Sequence, residues 1–350
     1  MMDDKRISPD SKRKTVVTAA LKAQESGKIS IPAKAAAKAA AKKPAVKTTA
    51  KKPDIKTTVK KPASKPAAKK KSPVKVQPAA EVPASTNTEV TLAAVSPSDE
   101  APAAGTHELK PILASGANEI SVPLSAESIR AFLEYARLLK EWNEKMNLTN
   151  ITDDKGIAIR HFIDSLTLVS HLEEECVKKG KMNLSLIDVG TGAGFPGIPL
   201  KVAMPSLEVT LLDSLRKRVG FLDTVCEALE LKGITTVHSR AEDAGLSKQY
   251  REKYDVATAR AVASLPVLCE YCLPFVKIGG IFLAMKGNVE EEAEAAKKAI
   301  VTMGGTLETL HHFTLPGTDM NRSIIVIRKV RSTPAKYPRQ AGKPEKEPIL

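Results

Sequence analysis

Aromatic residues are scarce in this chain and absent from its first third. Seven Phe, five Tyr and one Trp serve 350 residues, and the first of them is Phe132. A segment without aromatics cannot bury enough apolar surface to offset the entropy of ordering it. That excludes a folded domain over residues 1–105, where 20 Lys, 2 Arg and 11 of the 23 prolines stand against 9 acids. No apolar run approaches the ~18–20 residues that a membrane span needs, so no membrane partner is expected. An apolar h-region is also missing from the N-terminus, which argues against a secretory signal. The start is basic, but it opens Met1-Met2-Asp3-Asp4 and favours Lys over Arg, unlike a transit peptide. A cytoplasmic location is therefore expected before an organelle. Cysteines number four. Cys269 and Cys272 form a C-x-x-C without the second pair that a zinc site requires, so reduced core cysteines and no metal are expected.

What the chain does have is charge, unevenly placed. The overall net charge of +14 divides into +13 on residues 1–105, −2 on 106–330 and +3 on 331–350. The basic start carries a nine-residue repeat, KKPAVKTTA at 42–50 and KKPDIKTTV at 51–59. Its proline in every unit fits an extended, self-repelling segment able to hold polyphosphate backbones without sequence choice. Residues 81–105 lose the lysines and read as a Pro/Ala/Ser linker. The chain thus divides into 1–105, a disordered basic tail and linker; 106–180, a small helical region; 181–330, the main domain; and 331–350, a flexible basic tail.

Within 106–180 the spacing of Ile129, Phe132, Leu133, Ala136, Leu139, Trp142 and Met146 predicts a helix over 125–147, with Ser125 as N-cap. A second amphipathic helix is predicted over 156–171. From Leu184 short apolar strands alternate with helices. Strands are predicted at 184–189, 207–213, 234–239, 254–259, 279–285 and 323–329, and helices after the first glycine turn and at 214–231, 265–275 and 289–303. This alternation predicts an α/β fold with a mostly parallel, doubly wound, Rossmann-like sheet.

The informative segment is Ile187-Asp188-Val189-Gly190-Thr191-Gly192-Ala193-Gly194-Phe195-Pro196-Gly197, which leaves the first strand and enters a helix. Glycines there allow a tight turn and close backbone approach to a ligand. A phosphate-binding P-loop fails, because Ile198 stands where its lysine must be. A dinucleotide fingerprint counted from Gly190 meets Phe195 at its third glycine, which weakens that alternative and leaves it open. A nucleoside without phosphates fits better. Asp213 closes the second strand and can accept both ribose hydroxyls, and Ala241-Glu242-Asp243 comes after the third strand, placed for an adenine. Asp213 also has the plainer option of capping the next helix.

The residues at the end of the fourth strand constrain the acceptor. That place reads Thr258-Ala259-Arg260-Ala261-Val262. It has no proline pair to orient an exocyclic amine and no cysteine to add to a pyrimidine. An acceptor that already owns a lone pair, such as a purine ring nitrogen, needs alignment and electrostatics rather than a base.

Several segments then carry a family resemblance: WNEKMNLTNI at 142–151, RHFIDSL at 160–166, LIDVGTGAGFPGIPLK at 186–201, LLDSLRKRVGFL at 211–222, SRAED at 239–243, ARAVASL at 259–265, LAMKG at 283–287 and NRSIIVIRK at 321–329. In this order they resemble the RsmG (GidB) family, and Lys336 to Leu350 resembles that family's end. The resemblance implies a class I methyltransferase of bacterial cytoplasm, S-adenosylmethionine as cofactor, and N7 of a guanosine in 16S ribosomal RNA, alone or in the small ribosomal subunit, as acceptor. It implies cofactor contacts at Gly190, Phe195, Ala241, Glu242 and Arg260, to which general methyltransferase logic adds Gly192, Gly194 and Asp213. It implies acceptor positioning by Arg160, His161, Lys286 and Arg322, and RNA binding by Lys217 and Arg218. A monomer is expected. The basic first hundred residues depart from the family pattern. Two rivals stay in play: a class I methyltransferase for another RNA, a protein or a small molecule, and a non-catalytic nucleic-acid-binding protein.

Overall fold

A computed structural model describes residues 108–350 apart from Asn288. The predicted disordered tail at 1–105 lies outside the described residues. Helix Ala126–Met146 begins where expected. The Ser125 side chain accepts from the Ser128 N–H at 3.0 Å, and Asn147 ends the helix in the left-handed region. Its apolar face buries Phe132, Tyr135, Ala136 and Leu139, and full burial of large apolar side chains stabilises by about 1.5–3 kcal/mol each. A helix Leu109–Glu119, not foreseen, precedes it.

The second predicted helix is not one helix. A turn at Asp154–Gly156 widens into a π-helix over Ile157–Ile163, tightens at Asp164–Leu166, and a separate helix runs Val169–Lys179. Every residue from Gly156 to Leu166 is buried except Arg160. A helix buried all round has no polar face, so hydrophobic periodicity cannot tell its pitch or its breaks.

The seven strands are β1 Ser185–Val189, β2 Glu208–Asp213, β3 Ile234–His238, β4 Tyr254–Arg260, β5 Val276–Lys286, β6 Gly305–Thr314 and β7 Asn321–Lys329. Their spatial order is β3-β2-β1-β4-β5-β7-β6. β1 to β5 pair in parallel, and β7 runs antiparallel to both β5 and β6. This is the class I methyltransferase, Rossmann-like architecture. Side chains of the sheet alternate between two cores. On β5, Ile281, Leu283 and Met285 join the core under the N-terminal helices, while Phe282 and Ala284 join the core on the other face. The helices of 109–179 thus cover one face of the sheet and share its core. Their packing also sets Asp164 and His161 over the carboxyl end of β4.

The C-terminal residues correct the expectation of a flexible tail. Arg339 closes on the buried Glu270 with Nη2–Oε2 at 2.6 Å, and its own N–H donates to Oε1 at 2.7 Å. Arg251 donates to the carbonyls of Thr333 and Tyr337, both at 2.8 Å. Lys329, fully buried, donates to Thr333 Oγ1 at 2.6 Å. The composition of 331–350 reads as solvated because main partners of the segment, Arg251, Glu252 and Glu270, lie elsewhere in the chain. No helix among the described residues is long and apolar enough to cross a membrane. All four cysteines are free, and three of them are buried.

Candidate active site

The glycine loop is tied to β2 by Gly190 and Thr191, whose N–H groups both donate to the Leu212 carbonyl at 2.8 and 3.1 Å. Gly190 and Gly194 have φ of 69° and 96°, where side chains are strained. A Cβ on Gly190 would also meet Val262 at 2.9 Å, and one on Gly194 would meet the Tyr135 hydroxyl at 2.6 Å. Tyr135 uses that hydroxyl to hold the Ala193 carbonyl. Asp213 accepts from Gly192 N–H at 3.0 Å and from Leu215 N–H at 2.8 Å; Leu215, not Asp213, is the N-cap of the next helix. A carboxylate offers about four acceptor positions, so both of its oxygens keep capacity.

Asp188, inside the loop's parent strand, is different. Its Oδ2 accepts from Thr191 Oγ1 at 2.6 Å and Gly197 N–H at 2.8 Å, while Oδ1 is buried with no partner among the described residues. Burial raises its pKa from 3.8 to about 6, against the lowering effect of those two bonds. A cavity of about 140 Å³ opens beside the loop, lined by Gly190, Asp213, Ala241, Glu242, Tyr271 and Gly342.

A second cavity of about 290 Å³ is lined by Arg160, His161, Asp164, Arg260, Lys286 and Arg322. Both cavities reach the residues just after β4, where Val262 lines the first and Ala261 the second. Asp164, buried, accepts from Arg260 Nη1 at 3.0 Å and Arg322 Nε at 3.2 Å. Arg260 therefore meets a structural acid, and it lines the second cavity rather than the one beside the glycine loop. Its guanidinium also lies 4.9 Å over the Phe195 ring. Phe195 is buried, stacks on His161 at 4.4 Å between centroids, and supports the site from below.

The charge state of His161 is set by its neighbours. A guanidinium only donates, so Nδ1, 3.2 Å from Arg260 Nη2, is the acceptor. Nε2 then carries the proton and donates to Thr149 Oγ1 at 2.8 Å. Burial first, then Arg260 and Arg160, lowers the pKa from 6.5 to about 3. His161 is a neutral ring with both nitrogens engaged. Lys286 Nζ donates to the Ala263 carbonyl at 2.5 Å and pairs with Glu292 at 2.9 Å. Gly192 and Gly194 shape the loop without lining either cavity. Lys217 is exposed near the start of helix Arg216–Ala228 and lines neither, and Arg218 lies 3.7 Å from Asp213.

The family model for the rRNA small subunit methyltransferase G, GidB, matches residues 128–324. The chain belongs to the GidB family. The Ribosomal RNA small subunit methyltransferase G of Acetivibrio thermocellus is 55% identical over 242 residues, 69% of this chain and 97% of that relative. The same-named protein of Bacillus subtilis is 48% identical over 236 residues, 67% of this chain and 96% of its own length. Among solved structures, TrmN from Thermus thermophilus aligns at a TM-score of 0.37 and 16% identity, over 49% of this chain and 53% of that one.

In this GidB chain, sequence reasoning missed Asp164, Asp188, Tyr271 and Gly342. A signal existed for two of them. Asp188 is a lone acid inside the apolar run of β1, and Asp164 a lone acid among buried residues; such charges need a partner or a ligand. Tyr271 and Gly342 carried no signal. Their partners, Glu345 and Glu242, lie 74 and 100 positions away, and both pairs run through a segment that reads as solvated.

Proposed function

We propose that this chain transfers a methyl group from S-adenosylmethionine to N7 of a guanosine in small-subunit ribosomal RNA, acting as a monomer in the bacterial cytoplasm. The observation that carries the proposal is the pairing of two cavities of opposite character across Ala261 and Val262. One is walled by acceptors, the other by cations. The cofactor suits the acceptor-walled side. Its ribose hydroxyls and amine are donors, which the carboxylates of Asp213 and Glu242 in that wall can accept. When bound, it supplies a methyl group made electrophilic by a sulfonium.

Gly190, Gly192 and Gly194 shape the cradle, Asp213 takes the ribose, and Ala241 and Glu242 flank the base. On the other side, guanine presents N7 and O6 as acceptors. N7 carries no proton, so the site needs no general base, and the locked neutral His161 is not asked to be one. Arg160, Lys286, Arg260 and Arg322 can hold O6 and backbone oxygens and leave N7 free for in-line attack. A guanine methylated at N7 is cationic, so the same wall disfavours keeping the product. Lys217 and Arg218 extend the cationic surface toward RNA phosphates.

The test is transfer from labelled S-adenosylmethionine to undermethylated small subunits and to naked RNA, followed by nucleoside analysis. Labelled N7-methylguanosine is expected. No label, with cofactor binding intact, would overturn the acceptor.

A further inference from the structure

The C-terminal segment does more than dock. It reaches the cavity beside the glycine loop and supplies two of its lining residues, Gly342 and Glu345. The Gly342 N–H donates to Glu242 Oε1 at 2.9 Å. Glu242 is buried, and among the described residues that N–H is the one donor its carboxylate has. The Tyr271 hydroxyl, beside both acids, donates to Glu345 Oε1 at 3.2 Å. Gly342 sits at φ 79°, a left-handed conformation that points its N–H inward and that a β-branched residue does not adopt without strain. Upstream, the Arg339–Glu270 pair fixes the path of the segment before it reaches the cavity.

We propose that residues 340–346 are a wall of the nucleoside pocket, and that the Gly342 N–H positions Glu242 to select a purine bearing an exocyclic amine. The proposal rests on the cofactor reading above and adds the element that enforces it. With Oε1 committed to Gly342, Oε2 is the acceptor left for the ligand. An ionised carboxylate only accepts. It matches an amine at the purine's six-position and opposes a carbonyl there. Without the Gly342 N–H the carboxylate is free to turn, and the preference between the two bases is lost before binding itself is. Glu345 adds a second acceptor-only group at the rim, where it is exposed and can be changed without disturbing the core. Gly342 is a positioning residue in this scheme.

The experiment uses the full chain and two probes, S-adenosylhomocysteine and S-inosylhomocysteine, which differ in that amine. Titration calorimetry on the unaltered protein is expected to show at least a roughly tenfold preference for the adenosine form, since a site built to hydrogen-bond a donor rejects the analogue lacking it. Gly342→Val is expected to bring the two affinities to within about threefold of each other, and Glu345→Ala to weaken the adenosine form about threefold, the scale of one partly exposed hydrogen bond. A purely structural role would weaken both probes equally and leave their ratio alone. An unchanged ratio in Gly342→Val together with unchanged affinity in Glu345→Ala overturns the proposal. Failure of the unaltered protein to bind either probe overturns the cofactor reading itself, a separate result. Circular dichroism melting of both variants shows that the comparison is made on folded protein, and Glu345→Ala keeps the test available if Gly342→Val does not fold.

Discussion

Asp188, buried on β1, and His161, in the wall of the cation-lined cavity, titrate in opposite senses. Burial raises Asp188 from 3.8 to about 6. Between those values the folded chain keeps a proton that the unfolded chain has released. The resulting stability is fully present below pH 3.8 and is lost as pH rises through about 6. His161 is lowered from 6.5 to about 3, so there the unfolded chain holds the extra proton. Its contribution is present above pH 6.5 and is lost as pH falls toward 3. Each slope is about 1.4 kcal/mol per pH unit inside its window, and the two oppose where the windows overlap. Asp188→Asn therefore uncovers the His161 slope: its urea midpoint is expected to fall faster than that of the unaltered protein as pH drops from about 6 to 4. Parallel profiles for the two proteins would show that Asp188 does not titrate in that range. Asp164 gives a second expectation. Asp164→Ala strips the shared carboxylate from Arg260 and Arg322 and is expected to cost about 2 kcal/mol, discounted because both arginines are partly exposed. Methyl transfer should fall further than S-adenosylhomocysteine affinity, because the network lines the cavity proposed for the acceptor. An equal loss in both measurements would place Asp164 in the general fold only.

Strands buried on both faces announce themselves, whereas an exposed edge strand and a helix buried all round do not. β4 is buried from Tyr254 through Ala259, and its short, mostly apolar run reads as a central strand although Asp255 and Thr258 interrupt it. β6 escaped notice because it is the sheet's edge: Thr306 to Leu310 alternate weakly and are mostly exposed. The π-helical turn was hidden by uniform burial, and the docked C-terminus by partners distant in sequence. The glycine loop was legible as a cradle because left-handed turns demand glycine, but its glycines are not equal. Gly192 has φ 61° with open space around its Cβ direction, whereas Gly194 has φ 96° and would strike Ile198 and Tyr135 at 2.6 Å. Gly192→Ala is expected to cost about 1–2 kcal/mol through backbone strain alone. Gly194→Ala should cost at least about 1 kcal/mol more, since packed neighbours must shift as well. Chemical denaturation orders the two, and the reverse order would mean that the loop relaxes around the added methyl.

At the scale of the whole molecule, the proposed function divides binding and positioning along the chain. Both cavities are lined by residues between Ile151 and Glu345, and residues 106–330 carry a net charge of only −2. Bulk charge there cannot supply RNA affinity, so the proposed function gives the placing of the acceptor to local cations such as Arg160, Lys286 and Arg322. Residues 1–105 carry +13, spread over lysines with no aromatic between them to stack on a base. Such a segment gains affinity by releasing counterions from phosphates, a term that weakens steeply with salt and ignores sequence. Removing residues 1–105 is therefore expected to lower affinity for ribosomal RNA at low salt. The plot of log affinity against log salt should flatten, each lost phosphate contact removing about 0.7–0.9 from the slope. The dissociation constant for S-adenosylhomocysteine should stay as it was, since no lining residue of either cavity is removed. The site of methylation should stay too, because the residues that fix geometry are all retained. Equal loss of RNA and cofactor affinity in the shortened chain would sink this division, and would mean that the first third of the chain supports the fold of the rest.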